Sequence, residues 1–242
     1  MNPKVAIIIA NYNYSHYVID AIKSIENQTY KGPVRIFLVD DGSSDDSWEK
    51  LSEYKKSQED QDRYVFMRIE NSGASVARNT AIREAWDWAD IFGILDADDE
   101  YYPQKIEKLV EKLVEHPEVG VAYADYDIET PTHSRHEFKQ SYDRQTLMQR
   151  CIVHSNSLIK KQYLAEVVLP NGEFFDSRLH GPASQGFFGC TEDYDLWIRL
   201  SKVCMITHVP ECLAKANEHG DNQSLKMTNE IFQQHAQILG NR

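Results

Sequence analysis

Glycine is scarce in this chain, 11 of 242 residues. None of it forms a Gly-x-Gly-x-x-Gly after the first apolar run, or a Gly-x-x-x-x-Gly-Lys-Ser/Thr anywhere. The dinucleotide fingerprint and the P-loop are both excluded, so any phosphate must be held by other groups. Cysteine is sparse too. The four present, Cys151, Cys190, Cys204 and Cys212, make no Cys-x-x-Cys pair and no zinc-finger spacing, and a chain this long needs no disulfide framework. Reduced thiols in a cytosolic setting are expected. No apolar run approaches the length that crosses a bilayer, and residues 5–10 are too few for the apolar region of a signal peptide. A cytoplasmic protein is expected, at most peripheral at a membrane surface. Positive charge is in deficit: the formal net charge is −12, with no basic stripe to meet a nucleic-acid backbone, so DNA and RNA drop out as partners.

What is present is an ordinary soluble composition, 41% hydrophobic and 26% charged, in a chain long enough to bury a substantial core. Apolar runs alternate with helical patterns. Val5–Ala10, Val34–Val39, Val65–Ile69, Ile91–Leu95 and Val119–Ala124 read as strands. Between them, Val18, Ile19, Ile22 and Ile25 mark a helix capped by Ser15, and further helices span about Ala74–Ala89 and Pro103–Glu115. On the last of these, Ile106, Leu109, Val110, Leu113 and Val114 share a face. A β-α-β-α-β-α-β-α-β order specifies an α/β fold with a mainly parallel sheet, right-handed crossovers and helices on both faces.

Beyond Ala124 the pattern weakens. Glu129–Arg144 reads as a polar loop, Asn156–Lys160 as a strand, Gln162–Val168 as a short helix, Leu179–Gly189 as a glycine-bearing loop and Met227–Leu239 as a closing helix. Residues 1–125 and 126–242 are expected to form two halves of one continuous unit.

Chemistry concentrates at strand ends, where open α/β sheets bind ligands. Asp96, Asp98 and Asp99 follow the buried run Ile91–Leu95. On an extended backbone Asp96 and Asp98 would point the same way and share a hard cation or a sugar hydroxyl. Asp-rich turns also cap helices and bind water, and both readings stand at this point. Asp40-Asp41-Gly42-Ser43 follows the second strand and Tyr12 the first: Tyr12 suits stacking on a base, and Asp41 suits accepting from its ring N–H. Thr191-Glu192-Asp193-Tyr194-Asp195 is an acidic first turn for a helix carrying Leu196, Trp197, Ile198 and Leu200, an arrangement the helix dipole alone would favour.

In order and spacing, Ile8-Ile9-Ala10-Asn11-Tyr12-Asn13, Val39-Asp40-Asp41-Gly42-Ser43, Gly73 with Ala77-Arg78-Asn79, Leu95-Asp96-Ala97-Asp98-Asp99 and Glu192-Asp193-Tyr194-Asp195-Leu196-Trp197-Ile198-Arg199 resemble the signature of family-two inverting glycosyltransferases of the GT-A (Rossmann-like) fold. Pro is usual in that family where Ala10-Asn11 precedes the Tyr-Asn pair here. The resemblance implies a nucleotide-diphosphate sugar donor, with Tyr12 and Asp41 at the base, Asp96 at the ribose and Asp98 on Mn²⁺ or Mg²⁺. Asp99 substitutes for either neighbouring carboxylate, and Arg78 meets phosphate. Asp193 is then the base that takes a proton from a carbohydrate or glycolipid acceptor, Glu192 orients that acceptor, and Asp195 holds the helix turn. His219, followed by Gly220-Asp221-Asn222-Gln223-Ser224, matches the family's late His near metal and diphosphate. The implied reaction is metal-dependent inverting transfer of a hexosyl or N-acetylhexosaminyl group, most plausibly from a UDP-sugar, in polysaccharide or glycoconjugate synthesis. The alternatives are a nucleotidyltransferase acting on a sugar phosphate and a degenerate carbohydrate-binding protein.

Overall fold

The computed structural model describes residues 2–180 and 191–219. Among them a nine-stranded sheet runs in the order β3-β2-β1-β4-β8-β6-β9-β5, with β7 added on β6. The strands are β1 (Val5–Asn11), β2 (Val34–Asp40), β3 (Tyr64–Arg68), β4 (Ile91–Ile94), β5 (Glu100–Tyr101), β6 (Val119–Glu129), β7 (Ser134–Glu137), β8 (Leu158–Lys160) and β9 (Met205–Asn217). The helices are α1 (Val18–Glu26), α2 (Ser47–Ser57), α3 (Ala74–Ala85), α4 (Lys105–Glu115), α5 (Arg144–Leu147), α6 (Lys161–Glu166) and α7 (Glu192–Leu200).

Strand β1 is apolar along its length because both its faces are covered. Val5, Ile7 and Ile9 join one core with Val18 and Ile22 of α1, Leu51 of α2 and Leu109 of α4. Ala6 and Ile8 join the opposite core with Ala77, Ala81 and Ile82 of α3 and Leu196 and Trp197 of α7. Successive side chains alternate between the faces, and a strand buried on both reads as a continuous hydrophobic run. Gly93 permits the close approach of β4 to its neighbours: a Cβ there would lie 2.6 Å from both Ile7 Cδ1 and Leu158 Cδ2.

The expected α/β architecture is present, and its parallel part is the amino-terminal quartet, where β2 pairs with β1 and β3, and β1 with β4. The second half is mixed. Strand β8 is antiparallel to both β4 and β6, β9 is parallel to β6, and β5 is antiparallel to β9.

Several local expectations are corrected. The segment Glu129–Arg144 is not all loop: β6 extends to Glu129, and β7 pairs with it antiparallel. Strand β9 carried no recognisable signal. Helix α1 starts at Val18 with Tyr17 as its cap, and the Ser15 N–H instead donates to Asp45. Val114 is 58% exposed rather than on the buried face of α4, whose Ile106, Leu109, Val110 and Leu113 are buried. The closing helix Met227–Leu239 and nearly all of the Leu179–Gly189 loop lie outside the described residues.

Candidate active site

The amino-terminal strands deliver their carboxyl ends to one edge of the sheet, and the loops there are knotted together. Asn11, fully buried at the end of β1, donates from Nδ2 to Asp40 Oδ2 at 2.9 Å and to Ser43 Oγ at 3.2 Å. This side chain ties the end of the first strand to the end of the second. Asn13, at φ 60°, accepts on Oδ1 from the backbone N–H of Ser44, 2.8 Å away. These bonds fix the backbone on either side of Tyr12, which lines a cleft of about 400 Å³.

Asp41 lines the same cleft, and its carboxylate holds the turn that starts α3. Ser72 N donates to Oδ1 at 2.8 Å, Gly73 N to Oδ2 at 2.8 Å, and Asn71 Nδ2 to Oδ2 at 3.1 Å. Gly73 sits at φ 92°, a conformation that L side chains rarely adopt. Burial raises the Asp41 carboxyl above its ordinary range despite those donors.

Past β4 the backbone does not stay extended. Asp99 N donates to the Asp96 carbonyl at 3.0 Å, so the Asp-Ala-Asp-Asp segment is a turn, and its three carboxylates find separate surroundings. Asp96 Oδ1 accepts from Arg78 Nη2 at 2.7 Å and Oδ2 from Ser155 Oγ at 2.9 Å. Asp98 Oδ2 lies 3.1 Å from His219 Nε2. The His219 ring stacks on Tyr17 at 4.8 Å between centroids and meets Tyr14 edge-on. Asp99 is the most enclosed, accepting from Asn156 Nδ2 at 2.8 Å and from Asn217 N at 3.2 Å, which makes it a brace between β4, the start of β8 and the end of β9. Burial, then the neighbouring charge of Asp96, pushes the Asp98 carboxyl up to about 6. Burial, then Asp98 and Asp96, raises Asp99 well above its ordinary value.

Helix α7 supplies the opposite wall. Glu192 Oε1 accepts from Arg78 Nη1 at 2.5 Å and lies 2.9 Å from His180 Nδ1. Burial alone would raise this carboxyl, but His180 and then Arg78 draw it down to about 2. Asp193, next in sequence, accepts from Tyr194 N at 2.7 Å and also lines the cleft. Burial, then the Glu192 charge, pushes it up to about 7. One turn on, Asp195 accepts from Arg199 Nε at 2.9 Å inside the helix, a structural pair as the sequence suggests.

The cleft thus gathers Tyr12, Asp41, Arg78, Asp96, Asp98, Asp99, Glu192 and Asp193 from distant positions, with His219 against Asp98. Arg78 does not stand apart as a lone cation: it bridges Asp96 to Glu192. Unforeseen participants are His180, Ser155, Asn71 and His154, whose ring tilts against Tyr126 at 3.9 Å. Their sequence neighbourhoods carry no spacing that singles them out. Five cleft-lining residues leave a buried polar atom without a hydrogen-bond partner among the described residues: Asn11 Oδ1, Asn71 Oδ1, Arg78 Nε, Glu192 Oε2 and His180 Nδ1, the last of these held in an ion pair with Glu192.

Residues 6–168 match the profile of glycosyl transferase family 2. An uncharacterized glycosyltransferase of Rickettsia prowazekii is 29% identical over 241 residues, 95% of this chain and 69% of that protein. Chondroitin synthase of Escherichia coli is 26% identical over 98% of this chain but only 32% of its own length. The chain therefore spans only part of these relatives. Among solved structures, S. aureus TarS 1-349 in complex with UDP-GlcNAc superposes with a TM-score of 0.72 at 15% identity, over 98% of this chain and 65% of that one. Mannosyltransferase PcManGT from Pyrobaculum calidifontis, in complex with GDP-Man and Mn²⁺, gives 0.65 at 17%, over 93% of this chain and 60% of that one. Among the described residues no helix is long and apolar enough to cross a membrane. The signature motifs, the shared cleft and the matched profile agree: the chain belongs to glycosyl transferase family 2 and is a glycosyltransferase of the GT-A fold.

Proposed function

We propose that the protein transfers a sugar, with inversion, from a uridine diphosphate donor to an acceptor hydroxyl, and that a divalent cation assists. The observation that carries this reading is that Asp193 and the Asp96–Asp98 pair line one cleft. In that arrangement residues 1–125 supply the donor side, and α7 with the end of β9 supplies the acceptor side.

On the donor side Tyr12 offers a ring face for the base. Asp41 and the unpartnered Asn71 Oδ1 offer acceptors for its ring N–H. Asp96 is held by Arg78 and Ser155 where a ribose hydroxyl can donate to it. The donor set fits a hard cation: Asp98 and His219 present a carboxylate oxygen and an imidazole nitrogen side by side, and the Asp96–Asp98–Asp99 turn concentrates negative charge that burial leaves poorly screened. Mn²⁺ or Mg²⁺ held there would offset the charge of the diphosphate as a Lewis acid.

Asp193 performs the proton chemistry. As the acceptor oxygen bonds to the anomeric carbon, the bond from that carbon to the diphosphate oxygen breaks and its electron pair leaves with the nucleotide. The hydroxyl proton passes to the Asp193 carboxylate. Attack from the face opposite the leaving group inverts the anomeric centre. A carboxylate poised at about 7 is matched to this task near neutral pH. Glu192, kept ionised by Arg78 and His180, leaves Oε2 to accept from an acceptor hydroxyl and orient it.

The neighbours bound to UDP-GlcNAc and to GDP-Man support a nucleotide-sugar donor, and chondroitin synthase among the relatives supports a setting in glycan assembly. The test is a thermal-unfolding screen of UDP-, GDP- and dTDP-sugars with and without Mn²⁺, because a ligand stabilises the state it binds. Metal-dependent protection by a UDP-sugar supports the reading. Protection by GDP-sugars alone overturns the base assignment, and protection by none overturns the donor site.

A further inference from the structure

A second group of metal-ligating side chains lies away from the donor cleft. Asp127 of β6, His136 of β7 and Cys212 of β9 present a carboxylate oxygen, an imidazole nitrogen and a sulfur, all within 4.8 Å of one another. Strand alternation sets this group apart from the catalytic residues: Tyr126 and Ile128 line the cleft, and Asp127, between them, points to the opposite face of the sheet. A break in the β6–β9 register at Asp125 and Asp127 brings Cys212, paired with Asp125, within reach.

We propose that Asp127, His136 and Cys212 form a binding site for a thiophilic divalent metal of the zinc class, distinct from the oxygen-rich donor site. The ligand set discriminates. A thiolate with an imidazole and one carboxylate suits Zn²⁺ or Co²⁺, whereas Mg²⁺ and Mn²⁺ favour oxygen donors. One pair is already near metal-bound spacing: Asp127 Oδ1 lies 3.0 Å from His136 Nδ1, against about 3.3 Å between ligands on a tetrahedral zinc.

The outer shell such a site needs is also in place. If His136 ligates through Nδ1, its Nε2–H faces Asp125 Oδ2 at 3.8 Å, and Asp125 is itself fixed by Lys139 N at 2.7 Å and by His208 Nε2 at 2.8 Å. If Asp127 ligates through Oδ1, its Oδ2 is held by the Tyr102 hydroxyl at 2.7 Å. Carboxylates behind a ligating His, and hydrogen bonds behind a ligating carboxylate, orient metal ligands in this way. The side chains of Asp127 and His136 are 27% and 28% exposed, which gives an ion a route in and leaves a fourth position for water. Bound there, an ion would pin β7, which among the described residues pairs only with β6, to β9, whose end carries Ala216 and Asn217 into the cleft wall.

The test is Co²⁺ titration of the full chain with Mg²⁺ in excess to saturate oxygen-only sites. The site predicts a thiolate-to-cobalt charge-transfer band in the near ultraviolet, together with the visible bands of four-coordinate Co²⁺. The band is lost in Cys212→Ser and kept in Asp98→Asn, which separates this site from the donor cleft. His136→Gln, on an edge strand, lowers cobalt affinity about tenfold or more with circular dichroism unchanged. Zn²⁺ raises the unfolding temperature of the wild type and not of either variant. Absence of the band from the wild type, or its persistence in Cys212→Ser, overturns the site. Should Cys212→Ser fail to fold, unchanged cobalt affinity in His136→Gln overturns it equally.

Discussion

Arg78 Nη1 lies 2.5 Å from Glu192 Oε1, while the same guanidinium reaches Asp96 at 2.7 Å through Nη2. One side chain of α3 therefore braces the end of β4 against the first turn of α7, across the floor of the cleft. Arg78, expected from the sequence to meet phosphate, is in this structure a strut 7% exposed. Removing one member of a buried ion pair strands its partners, at a cost of about 3–5 kcal/mol. Arg78→Met is expected to lower the unfolding temperature by roughly 6–12 °C for a chain of this size. Arg78→Lys recovers only part of this, because an ammonium cannot reproduce the two-pronged geometry. Calorimetry showing Arg78→Met as stable as the wild type would contradict the strut.

Glu192 makes stability depend on pH. Its carboxyl is drawn from an ordinary 4.5 to about 2, burial being outweighed by His180 and Arg78. A depressed carboxyl contributes stability above its unfolded value and loses it as pH falls from about 4.5 through 2. Denaturant midpoints at about pH 7 and pH 3 are expected to differ less in Glu192→Gln than in the wild type. An equal loss in both would remove Glu192 from the acid response.

In the proposed function Asp98 links donor binding to the metal. Chelation is expected to abolish protection by a UDP-sugar, and re-addition of Mn²⁺ to restore it. Asp98→Asn is expected to lose most of the metal-dependent increment while retaining its own fold, read as the shift in unfolding temperature on adding metal at fixed donor. An unchanged increment would place the cation elsewhere.

With Asp193 as the proposed base, its carboxyl sets the acid limb of catalysis. A base works only when deprotonated, so with its carboxyl at about 7 the specificity constant should fall about tenfold per pH unit below that value and level off above it. The readout is nucleoside diphosphate release across a pH series. A flat profile between pH 5 and 8 would assign the proton to another group.

Much of the fold was legible because its signals are local. Strands β1 and β4 leave apolar runs buried on both faces, β2 does the same from Ile36 to Val39, and α4 places Ile106, Leu109, Val110 and Leu113 at helical spacing. Strand β9 was not legible. Its sequence, Met-Ile-Thr-His-Val-Pro-Glu-Cys-Leu-Ala-Lys-Ala-Asn, serves two partners through an irregular register, so no clean alternation survives. Strand β7 is four polar residues paired with one neighbour, with no buried face to advertise. At the cleft the carboxylates stood out because acid is conspicuous after an apolar run. His180, Asn156 and Asn217 did not, because their roles are defined by partners 12, 57 and 118 residues away in sequence, which no local pattern encodes. An extended backbone would have aimed Asp96 and Asp98 the same way, and the structure has a turn there, closed by the Asp99 N–H.

The most direct measurement pairs donor binding with turnover in Asp193→Asn. The substitution keeps the size of the side chain and removes its basicity, a loss worth about 10²–10⁴ in rate for a general base. Thermal protection by a UDP-sugar with Mn²⁺ should match the wild type, while nucleoside diphosphate release falls by at least about a hundredfold. Wild-type release from that variant would contradict the assignment of Asp193 as the group that accepts the acceptor's proton.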